Sequence, residues 1–321
     1  MRNPVIVLHT DNPEPALAVV ARAHPDLVIQ AADNYEGLVP LVQQTGAEVI
    51  YSVRFAGTPN YPRAALLACP SLRWLSIGGS GTDHIRPWDP QRLTVTNAAG
   101  VAADMIAEYA IGAMLHFALG FGAFARAQSR RQWMAGKVEP IAGRTLLILG
   151  LGKTGQAAAR RAKSLGLTVI GVRARPVGMP EVAEVHGVEA LPDLWGRADY
   201  ILCCVPLLAS TRGMVNSDAF RAMKPDAVLI DVSRGGVVDE AALLEALRAG
   251  RIKGAALDVF STEPLPADHP FWAMENLIVT PHCASVYEGW DVTSVEMFLA
   301  NLARYRRGEA LENVVDPVRG Y

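Results

Sequence analysis

The chain has 321 residues, 50% hydrophobic and 19% charged, with 30 Lys+Arg against 32 Asp+Glu and a net charge of −2. At ~150 residues per domain, the length predicts two domains with sizeable cores, and the composition excludes disorder, a collagen-like repeat and a coiled coil. The charge balance leaves no footprint for nucleic acid or an anionic membrane surface, so neither is expected as a partner.

The four cysteines, Cys69, Cys203, Cys204 and Cys283, form no C-x-x-C pair and have no histidine cluster at zinc spacing, so no metal site is expected. So few thiols in so long a chain argue against a disulfide framework and for a reducing cytoplasm. The apolar run at 5–8 is too short for a signal-peptide core and reads as a first buried strand. The most apolar stretch, 105–125, carries Glu108, His116 and several glycines. It reads as one long helix, buried between domains or subunits, rather than a membrane span.

Strands are expected at 5–8, 48–52, 74–77 and 94–96, with helices at 15–23 and 64–67 between them. A second series has strands at 145–149, 168–172, 200–205, 227–231, 254–258 and 277–280. Helices are expected at 156–165, ended by Gly166, and at 240–249, with Asp239 as N-cap. Strands alternating with helices imply an α/β fold of two doubly wound parallel-sheet domains. A last helix at 294–307 follows the second sheet and is expected to return to the first domain.

The strongest local signal is Gly150-Leu151-Gly152-Lys153-Thr154-Gly155, a G-x-G-x-x-G turn between a strand and a helix. The first Gly allows the tight turn, the second lets backbone approach a pyrophosphate, and the third lets helix pack on strand. The helix N-terminus then offers free N–H groups to the phosphates. A unit that binds NAD usually ends its second strand in Asp or Glu, for the ribose 2′-OH. Here the strand runs into Arg173 and Arg175, which suit a 2′-phosphate, so NADP(H) is the preferred carrier and NAD(H) the lesser alternative.

Three polar residues each follow an apolar strand: Arg234, Glu263 and His282. Ligands of parallel sheets gather beyond the carboxyl ends of strands, so these three are expected on the edge where a nicotinamide lies. Each alone has a bland reading, as a loop charge, a turn cap and a structural imidazole respectively.

With these residues the sequence resembles the D-isomer-specific 2-hydroxyacid dehydrogenases over nearly its whole length. The resemblance runs through Gly79-Ser80-Gly81-Thr82-Asp83-His84, Val95-Thr96-Asn97 with Gly100, Ala107-Glu108, the Gly150 turn, Asp231-Val232-Ser233-Arg234-Gly235, Ala256-Leu257-Asp258-Val259-Phe260, Glu263-Pro264 and Thr280-Pro281-His282. The arginine pocket makes it most similar to the NADPH-dependent glyoxylate/hydroxypyruvate reductases, as do the closing Asn313-Val314-Val315-Asp316 and Arg319-Gly320-Tyr321.

The resemblance implies a Rossmann dinucleotide-binding domain at 100–285 and a flavodoxin-like substrate domain made of 1–99 and 286–321. It implies that Arg234 binds the substrate carboxylate, that His282 protonates the carbonyl oxygen as hydride arrives, and that Glu263 orients His282. It gives Gly79, Ser80 and Gly81 to the substrate carboxylate. It gives Gly150, Gly152, Lys153, Thr154, Gly155, Val205, Pro206, Thr211, Val232, Ser233, Asp258 and His282 to the cofactor. For Asp258, near the nicotinamide amide by resemblance, a sheet-end hydrogen bond is the competing reading. A homodimer through the apolar helix region is implied as well.

The function implied is reduction of a small 2-oxo acid (glyoxylate, hydroxypyruvate or something bulkier) to the D-2-hydroxy acid. The alternatives are a nucleotide-sensing, non-catalytic binding protein of the corepressor type and a phosphite dehydrogenase. Formate oxidation is disfavoured by an acid at Glu263. Arg54, Phe55, Trp133, Tyr287 and Trp290 are candidate pocket walls, and Cys283 has no assigned role.

Overall fold

The structure is a computed structural model in which residues 2–53, 60–317 and 319 are described. Arg54 and Phe55, and the closing Gly320 and Tyr321, lie outside the described residues. The chain divides into two compact units, one of Met1–Val101 with Tyr287–Tyr321 and one of Ala102–Val286.

The first unit opens with β1 (Ile6–His9), α1 (Pro13–Ala23), β2 (Ile29–Ala32), α2 (Tyr35–Thr45), β3 (Val49–Ser52), α3 (Arg63–Ala68), β4 (Trp74–Ile77) and β5 (Thr94–Asn97). All five strands run parallel in the order β2-β1-β3-β4-β5. Both faces are covered. Val7, Ile50, Leu75 and Val95 pack with Leu38, Val42 and Leu66 on one side, and Ile6, Leu8, Val49, Tyr51 and Trp74 with Ala16 and Val20 on the other. Burial on both faces makes these strands read as unbroken apolar runs.

The second unit begins with α4 (Ala103–Leu119) and α5 (Phe121–Ser129). The single helix expected at 105–125 is therefore two. Gly120 adopts φ 67°, its N–H closes on the His116 carbonyl as a left-handed cap, and the two axes diverge by 62°. No single helix among the described residues is long and apolar enough to cross a membrane. The apolar content of α4 serves packing instead. Its Ala103, Ala107, Ala110 and Ala113 lie in one core with Ala157, Ala158, Ala159 and Ala162 of the helix that follows the glycine-rich turn.

The elements after α5 are β6 (Thr145–Leu149), α6 (Lys153–Ser164), β7 (Thr168–Val172), β8 (Glu184–His186), α7 (Leu191–Leu194), β9 (Tyr200–Cys203), α8 (Ser217–Ala222), β10 (Val228–Asp231), α9 (Glu240–Arg248), β11 (Gly254–Leu257) and β12 (Leu277–Val279). Seven parallel strands lie in the order β12-β11-β10-β9-β6-β7-β8. The strand order reverses at β6: β7 lies on one side and β9 on the other, which is the switch point where open α/β sheets bind ligands. Asp239 caps α9 by accepting from the N–H groups of Ala241 and Ala242.

The chain then returns to the first unit with α10 (Trp290–Arg307), which packs against α1. Val295, Phe298 and Leu302 recur at helical spacing and are buried in the core of the β1–β4 face. Fully burying side chains of this size contributes ~1.5–3 kcal/mol each.

Candidate active site

The glycine-rich turn sits directly after β6, at the switch point. Gly150 has φ +100°, and its N–H donates to the Val172 carbonyl at 2.9 Å. A Cβ on Gly155 would stand 2.0 Å from the Gly150 carbonyl oxygen, so only hydrogen lets α6 start this close to the strand. The N-cap of α6 is Gly152 and no side chain caps it, which leaves the first N–H groups of the helix open to an anion. Lys153 is exposed and Thr154 half-buried on that first turn.

The neighbouring strand end completes the cradle. Cys204 N–H donates to the Leu149 carbonyl at 2.9 Å, and a Cβ on Gly150 would meet the Val205 side chain at 3.0 Å. Thr211 donates its hydroxyl to the Pro206 carbonyl (2.6 Å) and accepts from the Leu208 N–H (2.8 Å), closing the loop after Val205 and Pro206. Beyond β7, Arg173 is half-buried and Arg175 exposed, and neither forms an ion pair among the described residues. No acid stands at the end of β7, and two guanidinium groups on an open loop fit a phosphorylated ribose.

Arg234, Glu263 and His282 follow β10, β11 and β12, three adjacent strands of one sheet. His282 Nδ1 lies 2.8 Å from Glu263 Oε2, and the other carboxylate oxygen accepts the Phe260 N–H at 3.0 Å. Burial pushes the Glu263 carboxyl up, but the His282 and Phe260 bonds and the Arg234 charge outweigh it and hold the group below its ordinary value. Arg234 donates from Nη1 to the Ser233 carbonyl at 2.7 Å.

His282 has φ 53°, a left-handed backbone that costs a non-glycine residue about 1 kcal/mol or more. The bonds on either side hold it there. Asp258, 3% exposed, accepts from the Thr280 hydroxyl (2.6 Å) and from the N–H groups of Cys283 (2.9 Å) and Ala284 (3.0 Å). The Asp258 carboxylate thus fixes the loop that carries His282. Val232 and Ser233 are buried, and the Ser233 hydroxyl donates to Asp231.

In the first unit, the Gly79-Ser80-Gly81 turn follows β4. Its carbonyls are held by protein: Asn97 Nδ2 donates to that of Ser80 at 2.7 Å and Ala98 N–H to that of Gly79 at 3.0 Å. No acceptor among the described residues takes the Ser80 or Gly81 N–H. The rest of the turn is anchored by an Asp83–Arg86 ion pair.

The other sequence candidates divide between the two units. Trp133 is fully exposed, Tyr287 donates its hydroxyl to the Val101 carbonyl, Trp290 begins α10, and Cys283 is an exposed free thiol. No group of three or more His, Cys, Asp or Glu is placed for a metal among the described residues.

Two further residues by the site received no role from the sequence reading. Tyr109 of α4 bonds Thr280 (2.9 Å), which itself donates to Asp258, so α4 braces the His282 loop. Asp231, at the end of β10, is buried and accepts hydrogen bonds from Ser233, the residue before Arg234. Only its place at a strand end, three residues before Arg234, could have drawn attention to it.

A family model described as "D-isomer specific 2-hydroxyacid dehydrogenase, NAD binding domain" matches residues 111–284. The chain belongs to the D-isomer-specific 2-hydroxyacid dehydrogenase family. Among curated members, a glyoxylate reductase from Korarchaeum cryptofilum is 34% identical over 259 residues, covering 78% of this chain and 77% of the relative. A D-3-phosphoglycerate dehydrogenase from Methanocaldococcus jannaschii is 35% identical over 252 residues, covering 76% of this chain but 48% of the relative. The chain thus spans about half the length of that longer member. Among solved structures, the NADPH-dependent glyoxylate/hydroxypyruvate reductase from Sinorhizobium meliloti, in complex with NADP and sulfate, superposes with a TM-score of 0.83 at 29% identity, covering all of both chains. The two parallel-sheet domains described above are thus the fold of this dehydrogenase family, with the Rossmann unit second.

Proposed function

We propose that this dehydrogenase-family chain reduces a small 2-oxo acid, glyoxylate or hydroxypyruvate first, to the D-2-hydroxy acid with NADPH. The observation that carries the reading is the 2.8 Å bond between His282 Nδ1 and Glu263 Oε2, on the loop edge shared with Arg234. That bond orients the imidazole, so the opposite ring nitrogen can give a proton to a ketone oxygen. Arg234 offers parallel N–H donors to the substrate carboxylate. A cation and an acid aimed at one carbonyl stabilise the charge that grows on its oxygen.

Bound NADPH supplies the hydride. Its phosphates are proposed to sit on Gly150, Gly152, Lys153, Thr154 and Gly155, its 2′-phosphate on Arg173 and Arg175, and its remaining parts along Val205, Pro206, Thr211, Val232, Ser233, Asp258 and His282. Gly79, Ser80 and Gly81 are proposed as further carboxylate-binding backbone, supported by the two N–H groups without an acceptor among the described residues. A homodimer is proposed too; Phe121, Trp133, Met134 and Val138 are exposed apolar side chains that an interface would cover. Four free thiols suit a reducing cytoplasm. A purely nucleotide-sensing role makes no use of the Glu263–His282 pair.

The test is a panel of 2-oxo acids assayed with NADPH and with NADH. Turnover of glyoxylate or hydroxypyruvate, with kcat/KM higher for NADPH, is expected. Nucleotide binding without turnover of any 2-oxo acid would reject the enzymatic reading.

A further inference from the structure

The chemistry above leaves the most deeply buried carboxylate among the described residues, Asp231, without a task. Asp231 is 2% exposed at the carboxyl end of β10. Its Oδ1 accepts both the N–H of Ser233 (2.9 Å) and the Ser233 hydroxyl (2.5 Å). The Ser233 carbonyl in turn accepts from Arg234 Nη1 at 2.7 Å. A chain of hydrogen bonds thus runs from a carboxylate inside the sheet to the guanidinium at its edge.

The groups facing Asp231 are Asp258 at the end of β11, whose N–H donates to the Asp231 carbonyl at 3.0 Å, Glu240 at the start of α9, Cys203 and Cys204 at the end of β9, and Tyr109 of α4. Burial first, then the charges of Glu240 and Asp258, push the Asp231 carboxyl up to about 7, against the pull of Ser233. Hydrogen bonds to an ionised acceptor are roughly twice as strong as neutral ones.

We propose that Asp231 is a positioning residue: as a carboxylate it clamps Ser233, and through Ser233 it sets the Arg234 guanidinium for the substrate carboxylate, whereas as a carboxylic acid it clamps less firmly. The inference rests on the reading of Arg234 given under the proposed function. Affinity for the 2-oxo acid then falls as acid neutralises the clamp.

The experiment measures KM for glyoxylate across the neutral pH range at saturating NADPH, with KM for NADPH followed in parallel. It compares the wild type with Asp231→Ala, Asp231→Asn and Arg234→Ala. Wild-type KM for glyoxylate should rise toward acid. Asp231→Ala should raise it about tenfold, the scale of losing a hydrogen bond to a charged group, with KM for NADPH little changed. Asp231→Asn keeps the acceptor without the titration, so it should recover most of that loss and flatten the acid-side rise.

An acid-side rise in Asp231→Asn equal to that of the wild type would overturn the proposal, and this holds even where Asp231→Ala does not fold. A wild-type KM in a folded Asp231→Ala would overturn it as well. Arg234→Ala separates the two readings: if it leaves KM for glyoxylate unchanged, the assignment of Arg234 falls and the inference with it. If it raises KM while the Asp231 variants behave as wild type, the inference alone falls.

Discussion

Gly235 lies so close to Phe260 that a Cβ at position 235 would stand 2.0 Å from the Phe260 carbonyl oxygen. Phe260 is also the residue whose N–H donates to Glu263. The contact therefore locks the Arg234 loop against the loop that orients His282. The obstacle is backbone, so no side chain can swing aside to make room.

Gly235→Ala should separate the two loops and lower kcat/KM for the 2-oxo acid by a hundredfold or more, since misplacement of ~1 Å at a reacting site costs on the order of 10²-fold. Binding of NADPH to the Gly150 turn should be far less affected. Fluorescence titration of the nucleotide beside steady-state kinetics distinguishes the two. Wild-type kinetics in this variant would show that the loops need not be held together.

The loop after β7 makes a separate prediction about the carrier. Arg173 and Arg175 have no carboxylate partner among the described residues, so their charges are available to a phosphate. Replacing both with Ala should cut the NADPH-over-NADH ratio of kcat/KM by at least about tenfold, given ~1.5–3 kcal/mol for a hydrogen bond between charged groups. The change should appear chiefly in NADPH affinity, with NADH turnover kept. An unchanged ratio would remove both arginines from cofactor selection.

Much of the candidate site was legible because its residues lie on the loops that follow apolar strands. In a parallel sheet covered on both faces, the strand is an unbroken apolar run and the polar loop after it marks the carboxyl edge. That logic reached Arg234, Glu263 and His282 and the Gly150 turn. It failed where local chemistry imitates its surroundings. Gly120 breaks α4 from α5, yet apolar residues flank it on both sides, so no change of pattern announces the bend. Gly37 and Pro40 disguise α2, although the Asn34 side chain caps it by accepting from the Gly37 N–H. Asp231 was hidden for another reason: an acid at a strand end is ordinary in sequence, and only its burial sets it apart.

The segment after α5 yields a prediction on assembly. Trp133 is wholly exposed, with Met134 and Val138 also open to solvent. Sedimentation of the wild type should give a dimer, and Trp133→Glu should weaken it about a hundredfold, a loss in the range of central aromatic anchors. A variant that sediments as the wild type does would move the interface elsewhere on the chain.

The first unit holds a pH-dependent element of its own. His9 ends β1 and is wholly buried, with Nδ1 2.9 Å from the Ser52 hydroxyl, which also bonds the Tyr61 hydroxyl at 2.8 Å. Burial lowers its pKa from 6.5 to about 4, against the opposing pull of Asp11 and Asp33. Between those values the unfolded chain binds a proton that the folded one refuses, so folding stability rises with pH across that interval. The contribution is complete above pH ~6.5 and is lost as pH falls toward 4, by up to about 3 kcal/mol at one pKa unit per ~1.4 kcal/mol. Urea denaturation between those limits should show this slope in the wild type. His9→Asn keeps a polar atom near Ser52 without the titration, so it should flatten the slope even if it lowers stability at neutral pH. A slope of wild-type steepness in that variant would assign the acid sensitivity to other groups.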